Sequence, residues 1–158
     1  MIEARQCIVI DAPIARVWDI AKEIHAWSRL MPGFKRCEII DAANSCWTLK
    51  VGAGALVRTV AVLVRVTRWA GPEEVDFTYE LQGDPVVGKG QYRARNITPD
   101  ATEMTLKIRV EGAGPMAPMW EVMGRSLLPK LLRGFTEQFK AEVEKTTQRT
   151  DASLHLAH

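Results

Sequence analysis

From Phe34 to Gly112 the chain alternates apolar and polar positions. Val75, Phe77, Tyr79 and Leu81 are separated by Asp76, Thr78 and Glu80, and Met104, Leu106, Ile108 and Val110 by Thr105, Lys107 and Arg109. Side chains alternate between the two faces of a strand, so this period predicts half-buried antiparallel strands, one face on a core and one in water. Strands are expected at 34–42, 45–52, 54–69, 73–82, 87–97 and 102–112, and IEARQCIVID (2–11) supplies a seventh. No linker, repeat or low-complexity tract interrupts them.

Around this block the spacing changes to three and four. Val17, Trp18, Ile20, Ala21 and Ile24 give a helix over 13–24 its apolar face, with Asp11 as expected N-cap and Pro13 in the first turn. A second short helix over 25–30 should stop at Met31-Pro32-Gly33, since the residue before proline disfavours the α region. A long helix, 117–147, closes the chain. Trp120, Met123, Leu127, Leu131, Phe135, Phe139 and Val143 form its stripe, and Glu121, Arg125, Arg133, Glu137 and Lys140 lie largely opposite. Pro118 suits its first turn. Pro129 removes an interior hydrogen bond and predicts a kink near 127–129. The expectation is one domain over 1–147 and a disordered tail over 148–158.

Composition narrows the function classes. With 21 Lys+Arg against 19 Asp+Glu, the formal charge of +2 is too small to point to nucleic acid or an anionic membrane. The longest aliphatic run, Val60 to Val64, is far short of the ~20 residues that span a bilayer, and Glu3 and Arg5 interrupt any secretory signal. A cytoplasmic protein is expected. Three cysteines without a CxxC pair read as reduced structural thiols. Only His25 lies in the body of the chain, and no His/Cys cluster exists, so neither a metal nor another cofactor is expected.

The order strand, two helices, six strands, long helix describes an α+β chain: a seven-stranded curved antiparallel sheet wrapped around a C-terminal helix. It resembles the helix-grip fold of the START/Bet v 1-like (SRPBCC) superfamily over residues 2–146. Within it, IDAPIARVW (10–18), MPG (31–33), LKVGAGALVRT (49–59), TYELQG (78–83), GKGQYRARN (88–96) and EQF (137–139) resemble the CoxG-like family associated with carbon monoxide dehydrogenase. VWDIAKEIHAW (17–27) is similar to the polyketide cyclase/aromatase family of the same fold. Two features depart from the CoxG pattern: Phe34 stands where a cysteine often follows the PG, and only about ten residues follow the helix.

The resemblance implies that the face carrying Arg58, Val60, Val62 and Val64 looks inward. With Phe77, Tyr79, Tyr92, Met104 and Leu106 it would line a cavity, closed by Met119, Trp120, Met123 and Leu127 of the long helix. Gly88, Gly90 and Ala94 would leave room opposite. Arg58 either enters the cavity, where it needs a partner, or sits solvated at its rim. GAGPMA (112–117) mimics a dinucleotide fingerprint, but no strand follows its helix, so turn glycines are the better reading. Ser126 lacks a nucleophile elbow, and His25 has no partner at readable spacing. Val57, Ala61 and Leu63 put apolar residues on the outer face of the long strand, where a homodimer or another protein could cover them.

The expected function is therefore binding of a hydrophobic molecule (quinone-, lipid- or polyketide-like) in an internal cavity. The CoxG resemblance implies an accessory role beside a molybdenum-containing dehydrogenase. The alternative is a cyclase in which Arg58 polarises a carbonyl and a tyrosine moves protons. The inner face supplies no general base, which leaves catalysis open.

Overall fold

The computed structural model describes residues 1–52, 55 and 57–156, with side chains as far as Arg149. The expectations placed on Gly54, Leu56 and the last two residues lie outside the described residues.

The elements are β1 (Ile2–Ile10), α1 (Ile14–Ala21), α2 (Ile24–Arg29), β2 (Phe34–Ile39), β3 (Asn44–Val51), β4 (Arg58–Ala70), β5 (Glu74–Leu81), β6 (Val86–Thr98), β7 (Ala101–Gly112) and α3 (Ala117–Leu156). All seven strands form one antiparallel sheet in the order β1-β7-β6-β5-β4-β3-β2. This is the expected helix-grip architecture. Alternation sends Val60, Val62 and Val64 of β4, Tyr92 and Ala94 of β6, and Met104, Leu106 and Ile108 of β7 into the core. Phe135, Phe139 and Val143 of α3 meet them, all fully buried. Each such aromatic or aliphatic side chain contributes about 1.5–3 kcal/mol through burial.

Three details depart from the sequence reading. Asp11 does not cap α1. Pro13 holds the cap position, with no side-chain cap of its own, and the Ile14 N–H donates to Asn96 Oδ1 at 3.3 Å, a partner 82 positions away. The helix α3, which contains Pro129, runs on to Leu156 instead of giving way to a disordered tail after 147, because no glycine or proline follows Gly134 to stop it. Finally, a register shift between Val66 and Arg68 turns the end of β4 over, so that Trp69 pairs with buried Val75. Trp69, expected on the outer face with Leu63, thereby reaches Trp18, ring centroids 6.2 Å apart. One inserted position inverts which face every later side chain takes.

The buried stripe of α3 is Leu128, Leu132, Phe135, Thr136, Phe139 and Val143. Leu127 and Leu131, expected on it, flank it half-buried. No residue from Ala117 to Leu127 is buried, so the start of the helix packs less tightly than the stretch from Leu128 to Val143.

Candidate ligand-binding site

The inner face is organised around Trp27 of α2. Its ring stacks on Phe135 at 5.2 Å and 15°, and meets Tyr92, Phe139 and Phe77 at 5.6, 5.9 and 6.1 Å. Its indole N–H donates to the Ala21 carbonyl at 2.6 Å, which ties α2 to the end of α1. Trp27 was not among the residues expected at the site. The i, i+3 pair Ile24/Trp27 on the short helix was the available signal.

Tyr92 is completely buried beside this ring, yet among the described residues its hydroxyl has no hydrogen-bond partner. Burial alone pushes its pKa up, so the phenol stays neutral and remains a donor. A buried hydroxyl without a partner costs about 1–3 kcal/mol, and nearly all buried polar groups avoid that cost. Tyr79 differs. Its hydroxyl donates to the Arg109 carbonyl at 2.8 Å, and burial raises its pKa as well.

That bond explains two glycines. Gly88 pairs with Tyr79 and Gly90 with Phe77 across β5–β6, and a Cβ at either position would overlap the facing ring. The room expected opposite the helix is thus occupied by Tyr79 and Phe77. Near Ile24, Trp27, Trp47, Val64 and Phe77 only about 20 Å³ remains, enough for about one water. This part of the inner face is packed, not hollow.

The sequence-named residues divide accordingly. Val60, Val62, Val64, Tyr92, Met104 and Leu106 are buried together on the inner face, and Phe77 and Tyr79 are half-buried beside them. Trp120, Met123 and Leu127 are half-buried on the less tightly packed start of α3. Trp120 lies against Gly112, and its indole N–H is buried with no partner among the described residues. Met119 is 40% exposed and does not join them. Arg58 is at the rim. Its guanidinium pairs with Asp84 at 2.8 Å and stands 5.6 Å from the centre of the Trp120 ring. His25 is exposed and contributes only its carbonyl, to Ser28. Asn96, a polar residue near the end of β6, is committed to α1. Among the described residues no group of three or more His, Cys, Asp and Glu is placed to hold a metal, and no helix is long and apolar enough to cross a membrane.

A larger hollow, about 750 Å³, lies on the opposite face of the sheet, and of these residues only Val64 and Tyr79 are among those that line it.

None of the curated proteins compared matches the chain significantly. Solved structures do. A conserved protein from Geobacillus kaustophilus superposes with a TM-score of 0.80 at 20% identity, covering 92% of this chain and 97% of that one. The Zhui aromatase/cyclase from Streptomyces sp. R1128 gives 0.71 at 14% identity, covering 92% and 95%. A START superfamily protein from Mycobacterium smegmatis gives 0.69 at 13%, covering 91% and 98%. At these identities the likeness is one of fold. The sequence itself matches, over residues 1–144, the family model described as polyketide cyclase / dehydrase and lipid transport. With its START-like helix-grip fold, the chain belongs to the polyketide cyclase/dehydrase and lipid transport family.

Proposed function

We propose that the chain binds a hydrophobic, ring-containing molecule between the inner face of the sheet and the first third of α3, with the Tyr92 hydroxyl donating to a ligand oxygen. The observation that carries this reading is the orphaned Tyr92 hydroxyl at the centre of an apolar face. A ligand carbonyl there would supply the acceptor that the protein withholds. Because about 20 Å³ is free beside Trp27, the ligand enters by displacing side chains, and the segment that gives way is 117–127, where no residue is fully buried. The family's description, which includes lipid transport, supports such a cargo.

The test is extraction of purified protein with organic solvent and mass spectrometry of the extract, followed by titration of stripped protein with a quinone, read by tryptophan fluorescence. Saturable quenching that weakens in Tyr92→Phe supports the reading. Failure of a quinone, a fatty acid and an aromatic polyketide to bind, with nothing co-purifying, overturns it.

The second reading is cyclase-type catalysis in the same place, favoured by the family match and by the neutral, donor-competent Tyr92. The role given to Arg58 in that mechanism loses its support, because Asp84 holds the guanidinium at the rim. The resemblance to CoxG-like proteins adds a partner to the first reading, a molybdenum-containing dehydrogenase served as an accessory. Co-purification of the two from their native host is its test.

A further inference from the structure

The hollow on the outer face is a groove between two rows of side chains that cross the sheet. One row runs Arg65, Thr78, Lys89, Arg109 on β4, β5, β6 and β7, each residue paired with the next. The other runs Leu63, Glu80, Val87, Glu111 over the same strands. Between them lie Val64, Tyr79, Gly88 and Val110, which also line the hollow; Val64, Tyr79 and Val110 pack with the core on the other face. Four strands at about 4.8 Å make each row about 14 Å long, with the β1 and β3 flanks extending the face on both sides.

The two walls differ in sign. The first is basic, the second acidic with apolar residues between. Arg109 is satisfied by Glu3 at 2.7 Å, but Arg65, Lys89, Glu80 and Glu111 form no ion pair or side-chain hydrogen bond among the described residues. Val87 is 49% exposed in the middle of the face.

We propose that this face is the contact surface of a homodimer, its basic wall lying against the acidic-apolar wall of a second copy. A twofold axis lying in the interface and parallel to the rows reverses their order while keeping each strand opposite its own counterpart. Glu80 of one copy then comes opposite Thr78 of the other, between Arg65 and Lys89, and Glu111 comes opposite Arg109. Leu63 and Val87 come opposite Arg65 and Lys89, whose aliphatic stems can cover them. The contact is made twice with roles exchanged, as an isologous interface requires. A surface whose two halves are complementary in charge recognises itself, and no other partner is needed to satisfy the four open charges.

The experiment is sedimentation equilibrium of the full chain and of two charge-reversed variants, Arg65→Glu/Lys89→Glu and Glu80→Lys. The native chain is expected at twice its 17.7 kDa mass, dissociating as salt is added. Each variant alone should dissociate at least about tenfold more readily, since like charges then face each other. An equimolar mixture of the two should associate again, because both reversed walls find opposite charge. A native chain that stays monomeric at about 100 μM, a dimer that both variants leave unchanged, or a mixture that fails to associate overturns the proposal. Recovery in the mixture also shows that each variant is folded.

Discussion

Replacing Tyr92 by phenylalanine removes one oxygen from the centre of the core and leaves the ring in place. At a satisfied position that change costs about 0.5–1.5 kcal/mol, the net worth of the lost hydrogen bond. Here the hydroxyl is buried without a partner, so its removal relieves a desolvation penalty of about 1–3 kcal/mol. The small void left by one oxygen offsets part of this gain. A net stabilisation of about 1 kcal/mol is expected, a rise of about 2–4 °C in melting temperature for a domain of this size. With a ligand oxygen accepting from Tyr92 the sign reverses. The variant then loses that bond, and affinity falls by roughly twofold to tenfold. The assay pairs thermal melts of ligand-stripped protein with calorimetric titration of a quinone. If the stripped variant melts at least about 2 °C below the native protein, the hydroxyl has a protein partner in solution and the reasoning fails.

Further outcomes follow from the same packing. Gly88→Ala drives a Cβ into the Tyr79 ring and the Arg109 carbonyl, part of which is backbone that cannot turn aside, so urea denaturation should show a loss of about 1–3 kcal/mol. Trp27→Ala empties the centre of the aromatic cluster and should cost about 3–5 kcal/mol by the same measurement. Arg58→Ala removes a half-exposed ion pair and the contact with the Trp120 ring, so stability should fall by about 0.5–2 kcal/mol and quinone titration should be unchanged. Glu144 links α3 to the end of β1. Burial raises its pKa, but hydrogen bonds from Lys140 and from the Asp11 N–H outweigh this and hold it below 4.5. A lowered folded-state pKa makes the contribution complete above the unfolded value and lost as pH falls through the folded one. Native protein should therefore lose stability below about pH 4.5 more steeply than Glu144→Gln, as thermal melts across that range will show.

The period of two through residues 34–112 was enough to predict six of the seven strands, and the three-four spacing the first helix and the long one, because both record which side of an element meets the core. The order of elements then determined the architecture. The inward set from Val60 to Leu106 was legible for the same reason. What alternation cannot contain is a change of its own phase: the slip between Val66 and Arg68 carried Trp69 to the other face, and it depends on how β4 and β5 pair. Nor does a glycine in a strand say what covers it. Gly88 and Gly90 looked like open space, and only pairing with Tyr79 and Phe77 filled it. Arg58 has the parity of buried valines, yet it sits at the strand end within reach of Asp84, where an ion pair in water is less costly than a charge in the core. The orphaned Tyr92 hydroxyl is likewise invisible in sequence. A residue type reveals that a donor exists, and only the packed neighbours decide whether anything accepts from it.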